Sequence, residues 1–184
     1  MPFEFEKVST IPDLIVIKPR VFLDDRGWFL ESFKTSEFLK YGISESFVQD
    51  NQSRNTQRGI VRGLHFQLNP HAQGKLVRCV LGAVFDVAVD IRKKSKTYGK
   101  WFGIELSSEN HMMLWIPPGF AHGYCTLTEI SEVLYKQTHE YHAQSERVIR
   151  WNDCEIAVAW NVSQPTISEK DKLAPLLSQV ENNF

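Results

Sequence analysis

Apolar and polar residues alternate along much of this chain with a period of two, and turn residues cut the alternation into short pieces. Leu14 to Ile17 is a short apolar run closed by Lys18-Pro19, which reads as a strand. Phe22 to Phe33 reads FLDDRGWFLESF, and Asp24-Asp25-Arg26-Gly27 within it is a turn whose glycine takes the place that tolerates positive φ. Thr35 to Gly42 is the strongest helix signal of the first half. Thr35 or Ser36 can cap it, Phe38, Leu39 and Tyr41 form its apolar side, and Gly42 ends it. Phe47 to Arg54 is polar and extended. From Gly59 to Lys75 the chain reads GIVRGLHFQLNPHAQGK. Alternation puts Ile60, Arg62, Leu64 and Phe66 on one face of that strand, and Val61, Gly63, His65 and Gln67 on the other.

The second half repeats the pattern. Between Leu76 and Ile91, every second residue from Val77 through Cys79, Phe85 and Val89 falls on one apolar face, and Gly82 interrupts the run as a candidate hairpin turn. Arg92 to Lys100 is basic and turn-rich, a solvated loop. Trp101 to Leu106 is a further strand, and Leu114-Trp115-Ile116 meets the firm turn signal Pro117-Pro118-Gly119. Gly123 to Thr128, Glu132 to Thr138, Val148 to Trp151 and Ile156 to Trp160 complete the strands. Ser168 to Leu177 is a short helical stretch interrupted by Pro175. About ten short strands, with helices only at the margins, predict an all-β sandwich or barrel with its ligand site in the barrel mouth.

A length of 184 residues predicts one domain spanning 1–184, and an apolar share of 42% can build its core. The net charge of −1 gives no basic field, so neither nucleic acid nor an anionic membrane is an expected partner. Small anionic ligands stay open, because local Arg and Lys clusters decide their binding. No apolar run reaches the length of a membrane span, and MPFEFEKVST lacks the apolar stretch of a signal peptide. Cys79, Cys125 and Cys154 are far apart and form no CxxC pair, which argues for buried filler rather than a disulfide framework or zinc knuckle. The expectation is a cytoplasmic globular protein.

The stretch from Gly59 to Lys75 gathers Arg62, His65, Gln67, His71 and Lys75. A histidine between leucine and phenylalanine reads first as a core histidine, but this company points to chemistry. Gly63-x-His65 together with Pro117-x-Gly119-x-x-His122 suggests a double-stranded β-helix, the jelly-roll barrel of the cupins. Many cupins bind a metal through two histidines at i and i+2, a glutamate, and a later histidine. Here position 67 is Gln and no Glu precedes Lys75. His65 and His122 alone leave a divalent ion short of ligands, and a nearby lysine repels it. His71 could complete such a site. The expectation is no metal, and a pocket lined by His, Lys, Arg and Tyr.

Eight segments then carry a specific resemblance: RGWFLESF (26–33), FVQDNQSR (47–54), VRGLHFQ (61–67), QGKLVRCV (73–80), DVAVDIR (86–92), LWIPPGFAHGY (114–124), YKQTHEY (135–141) and ISEKDKLAPLL (167–177). In this order they resemble the dTDP-4-dehydrorhamnose 3,5-epimerase family across nearly the whole chain. The resemblance implies 3,5-epimerisation of dTDP-4-dehydro-6-deoxy-D-glucose to dTDP-4-dehydro-L-rhamnose, in dTDP-L-rhamnose biosynthesis, with no metal and no cofactor. Such chemistry asks for a base to remove a proton next to the C4 ketone, a cation for the enolate oxygen, and an acid on the opposite face. By resemblance these are His65 with Asp171 as its partner, Lys75, and Tyr135. Arg26, Glu31, Gln49 and Asp50 are implied substrate contacts, as are Asn51, Arg62, His122 and Lys170. Tyr141 falls where the family stacks an aromatic on thymine, with Glu146 nearby. The family is a homodimer with exchanged N-terminal strands, so some contacts come from a second subunit.

Each residue also has a plainer reading. Asp171 follows Ser168 by three and suits the acid of a capping box. Tyr135 reads as a packed strand aromatic, Lys75 as a solvated turn lysine, and Arg26 as a turn residue with a surface ion pair. Asp86 and Asp90 recur on one strand face, as salt-bridged or solvated acids do. Trp28 and Pro118 depart from the family's usual phenylalanine and polar residue. Alternatives in function are a single-site epimerase or ketoisomerase on a related 4-keto sugar, a metal-dependent cupin, and a binding module without catalysis.

Overall fold

Thirteen short strands and two single-turn helices form in the computed structural model, which describes residues 1–184. In chain order they are β1 (Phe3–Lys7), β2 (Ile15–Pro19), β3 (Val21–Asp24), β4 (Gly27–Leu30), α1 (Thr35–Phe38), β5 (Gln49–Asn55), β6 (Val61–Gln67) and β7 (Lys75–Leu81). Next come β8 (Ala83–Asp90), β9 (Trp101–Ser107), β10 (Met113–Ile116), β11 (Phe120–Thr126), β12 (Ser131–Gln137), β13 (Glu146–Val148) and α2 (Glu169–Lys172). One antiparallel sheet runs β1-β2-β10-β7-β12-β5, a second runs β13-β6-β11-β8-β9, and β3-β4 is a separate hairpin. From β5 to β8 the chain changes sheet at every strand, as it does again from β9 to β13. That winding is the jelly-roll barrel of the cupins, the form that the Gly63-x-His65 and Pro117-x-Gly119-x-x-His122 motifs suggest within the all-β class the patterning predicts.

Three apolar layers hold it. Val16, Val77, Leu114 and Val133 of the first sheet meet Val84, Ala88, Leu106 and Phe120 of the second between the sheets. Segment 149–184 covers the outer face of the second sheet, seating Ile149, Ile156, Trp160 and Leu177 against Val61, Leu64 and Val87. Phe38 and Ile43 cover the outer face of the first sheet over Ile17, Leu76 and Trp115. Each such buried side chain contributes about 1.5–3 kcal/mol relative to exposure, so the strands' facing is firmly specified.

Two glycines reset that facing, and both depart from the sequence reading. Gly82 is a corner rather than a hairpin turn, because β7 and β8 lie in different sheets. Its φ is +69°, and a Cβ there would stand 2.2 Å from the Ile130 carbonyl oxygen. Across it the inward parity switches from Val77 and Cys79 to Val84 and Ala88, while Val87 and Val89 turn outward. Asp86 therefore points inward.

At Gly63, β6 carries one extra residue: His122 pairs with His65, but Tyr124 pairs with Arg62. Gly63 has φ +133°, and a Cβ would lie 2.6 Å from Gly123 Cα. This bulge brings Arg62 and His65 to the same side, which strict alternation denies.

Smaller differences follow from local energetics. The helix at residue 35 is one α-turn and a 3-10 turn ending at left-handed Gly42. Its N-cap position is Lys34, with no side-chain cap from Thr35 or Ser36. β1 is a strand the sequence reading left out. Ile156 to Trp160 is not a strand, and its apolar residues pack as irregular chain on the second sheet. No helix is long and apolar enough to cross a membrane.

Candidate active site

A cavity of about 600 Å³ opens between the two sheets at one end of the barrel. Its first wall follows from period two on three paired strands. On β7, Lys75 pairs with Gln137 and Val77 with Tyr135 of β12, and Tyr135 pairs in turn with Asn51 of β5. All of these side chains point inward, while Asp50 and Lys136 between them point out. The second wall comes from β6 and β11, with Arg62, His65, Gln67, His122 and Tyr124. The rim is Thr166 to Asp171, held by a parallel bridge in which Val61 N–H donates to the Thr166 carbonyl at 3.0 Å.

His65 is half-exposed, and its Nε2 lies 2.8 Å from Asp171 Oδ1. Asp171 is buried, and its Oδ2 also accepts from Gly63 N–H at 3.3 Å. Burial pulls this carboxyl upward, but the hydrogen bonds from His65, Gly63 and the Ser168 cap outweigh it and hold it below its ordinary value. An ionised Asp171 keeps the proton of a neutral imidazole on Nε2 and leaves the Nδ1 lone pair free. Nδ1 has no protein partner. Of the capping box read from the sequence, the serine half forms, since Asp171 N–H donates to Ser168 Oγ at 3.2 Å, while the carboxylate turns to His65 and Gly63 instead of back to the cap. One turn of helix thus places the carboxylate.

Lys75 is 5% exposed and lines the cavity, yet it makes no ion pair. Burial pushes its pKa down to about 8, against the pull of Asp86 and Glu146. Tyr135 is pushed up, chiefly by burial, so its phenol stays protonated at neutral pH. A lone-pair nitrogen, a buried ammonium and a neutral phenol therefore share one pocket.

The implied substrate contacts divide into two groups. Arg62 lines the pocket, with its Nε donating to Asn55 Oδ1 at 2.9 Å. Asn51 and His122 line it too, and His122 Nε2 lies 2.8 Å from Asp86 Oδ1. Lys170 pairs with Glu146 at 2.6 Å, and Glu146 accepts from the Tyr141 hydroxyl at 2.9 Å. Burial raises Glu146, but Lys170 and Tyr141 overcome it and leave it below its ordinary value. Gln49 is outside the lining and reaches it through Tyr141, accepting from the Tyr141 N–H at 2.8 Å.

Three residues are not brought in. Asp50 turns to the outer face of β5 and pairs with Lys136 at 3.0 Å, because neighbouring strand residues face opposite ways. Arg26 stands at the tip of the β3-β4 hairpin, bound to Asp24 at 2.6 Å, and Glu31 follows that hairpin beside Lys34 at 3.7 Å. Neither lines this chain's pocket.

Other pocket features escape the sequence reading. Asp86 is not solvated: of the two readings it takes the paired one, fully buried behind His122, and its Oδ2 has no hydrogen-bond partner. Asn55, which holds Arg62, and Gln73, which lines the pocket, carry no ionisable signal. No three His, Cys, Asp or Glu side chains converge as a metal cage. His71 stacks on His142 with ring centroids 3.8 Å apart, outside the pocket lining.

Comparison with known proteins places this geometry. A family model described as dTDP-4-dehydrorhamnose 3,5-epimerase matches residues 8–179. The enzyme of that name from Salmonella typhimurium is 53% identical over 173 residues, covering 93% of this chain and 94% of its own length. A crystal structure of the 3,5-epimerase from Legionella pneumophila, in complex with dTDP-4-keto-L-rhamnose, superposes with a TM-score of 0.92 at 44% identity. It covers 96% of this chain and 94% of its own. The enzyme from Sulfolobus tokodaii gives a TM-score of 0.91 at 46% identity, covering 99% of both chains. Likeness of this extent runs through both sheets and the rim segment alike, so the chain belongs to the dTDP-4-dehydrorhamnose 3,5-epimerase family.

Proposed function

We propose that this isomerase inverts C3 and C5 of dTDP-4-dehydro-6-deoxy-D-glucose and releases dTDP-4-dehydro-L-rhamnose, with His65, Asp171, Lys75 and Tyr135 as its catalytic set. Both carbons are α to the C4 carbonyl, so the substrate supplies its own electron sink. His65 Nδ1 takes the proton from carbon, and the electron pair moves into the C4 oxygen. Lys75 holds the resulting enolate, and Asp171 stabilises the imidazolium. Tyr135 returns a proton to the opposite face, and exchange with solvent restores phenol and imidazole. The observation that carries this reading is placement: His65 stands on β6 of one sheet and Tyr135 on β12 of the other, lining the same pocket. An acid and a base on opposite walls suit inversion, where a single residue would return the proton to the face it left. Arg62, Asn51, His122 and Lys170 take the remainder of the substrate, with Arg62 suited to the diphosphate by its forked donors.

Incubation with dTDP-4-dehydro-6-deoxy-D-glucose in D2O, with and without EDTA, tests this by NMR. The expected result is label at both C3 and C5, unaffected by EDTA. Tyr135→Phe is expected to keep label exchange while losing inversion. Label at one carbon alone moves the reading to a single-site epimerase, and no label sinks it.

The functional unit in this reading is a homodimer in which the β3-β4 hairpin reaches the partner's pocket. The hairpin exposes Leu23, Trp28 and Phe29, which a lone chain would leave in water, and it carries Arg26 away from its own pocket. Sedimentation velocity is expected to give a dimer for the wild type and a monomer for the Leu23→Ser/Trp28→Ser double variant. A monomeric wild type excludes the exchange.

A further inference from the structure

Gln67 stands where metal cupins place a histidine, and the proposed chemistry makes no use of it. It is 3% exposed at the end of β6. Its side-chain amide makes three hydrogen bonds, all to backbone. Nε2 donates to the carbonyl oxygens of His71 at 2.6 Å and Glu140 at 3.3 Å, and Oε1 accepts from His142 N–H at 2.8 Å. The last two partners flank Tyr141 on either side. Gln49 Oε1 holds the Tyr141 N–H itself, and Gln73 Nε2 donates to the His139 carbonyl at 2.9 Å.

The chain from His139 to His142 belongs to no strand, so no ladder satisfies its backbone. Glutamine side chains do so instead, and Gln67 alone reaches both neighbours of the tyrosine. A carboxamide can do this because it donates and accepts at once, which a neutral imidazole spanning the same three groups cannot match. Tyr141 is 55% exposed at the pocket, with its hydroxyl on Glu146. With so little packing on the ring, its position depends on the backbone beneath it.

We infer that Gln67 is a positioning residue for nucleotide recognition: by bracketing Tyr141 through Glu140 O and His142 N, it pre-forms the platform on which the substrate's base stacks. The inference rests on the reading of Tyr141 as the stacking aromatic. A platform already ordered in the free enzyme need not be ordered on binding, so its loss weakens the nucleotide without touching proton transfer.

The test is a double-mutant cycle read by calorimetric titration with dTDP, alongside kcat and KM for the full substrate. Gln67→Met keeps the side chain's length and removes its donors and acceptor. Gln67→Glu keeps the acceptor and removes both donors, and it serves if the methionine variant does not fold. The expected result is a rise of about 10-fold in the dTDP Kd and in KM for Gln67→Met, with kcat within about twofold of the wild type. Tyr141→Ala is expected to weaken dTDP comparably, and the double variant no further than Tyr141→Ala alone. Additive losses, or a fall in kcat with KM unchanged, overturn the role of Gln67. So does a Gln67 variant that binds dTDP like the wild type while Tyr141→Ala does not. If Tyr141→Ala binds dTDP like the wild type, the stacking assignment fails and the inference falls with it.

Discussion

His65→Ala removes solvent exchange at both C3 and C5 together, with a loss of at least about 10³-fold, the scale of a positioned general base. Both carbons fall because one nitrogen serves both. The barrel survives the change, since His65 is half-exposed at the pocket and the cores lie elsewhere. Asp171→Asn is the sharper probe. Asparagine keeps the side chain's shape, but its amide donates, so the imidazole turns over to the tautomer with its lone pair on Nε2. Nδ1 then carries the proton and cannot act as base; in serine proteases the equivalent change costs about 10⁴-fold. The pH dependence has a definite sign. The carboxyl is held below its ordinary value in the folded chain, so its pairing stabilises the fold at neutral pH. That contribution is lost as pH falls through the folded value. Deuterium incorporation measured for wild type, His65→Ala and Asp171→Asn decides the matter; full exchange in His65→Ala would remove it from the mechanism.

Lys75→Met is expected to cost about 10²–10³-fold in kcat while making the protein more stable. The loss reflects a cation removed from the developing enolate, an effect of about 3–4 kcal/mol in comparable sites. The gain comes from the burial penalty. Lys75 falls from an ordinary 10.5 to about 8 because the charged form is desolvated. At pH 7 the amine is charged in both the folded and unfolded chain, and the folded state carries the penalty, on the order of 3 kcal/mol. Methionine fills the same space without it. The pull of Asp86 and Glu146 is already contained in that value, so the net gain on replacement is on the order of 3 kcal/mol at most. Two pH measurements follow with opposite slopes. Activity falls above about 8 as Lys75 loses its proton. Stability of the wild type rises between 8 and 10.5, because only the unfolded chain still binds that proton. Denaturant melts of the methionine variant lack this rise; a variant less stable than wild type at pH 7 would show that Lys75 is not held at a cost.

Much of this was legible in the sequence because period two was legible. Lys75, Tyr135 and Asn51 face inward by plain alternation on paired strands. Arg62 beside His65 was not legible from alternation, since the bulge at Gly63 depends on the close approach of Gly123 on β11, a contact between residues 60 apart in the chain. The inward turn of Asp86 is hidden for the same kind of reason, because the parity of β8 is set at the Gly82 corner, where a Cβ would run into the Ile130 carbonyl. The same alternation that placed Asn51 excluded Asp50, and resemblance to short motifs does not resolve neighbouring strand residues. Asp171 reads both as the acid of a capping box and, by resemblance, as the base's partner; its backbone N–H meets the cap and its carboxylate meets the base.

The catalytic pair also joins distant parts of the chain: His65 and Asp171 are separated by 106 residues, and the carboxylate arrives only with the rim segment after the last strand. During synthesis, a nascent chain that has emerged through residue 165 holds the base, the cation and the acid but no partner for the imidazole. The stretch after residue 165 therefore carries two duties at once, orienting the base and covering the second sheet through Ile167, Leu177 and Phe184, so trimming it would remove the switch and part of the cover together.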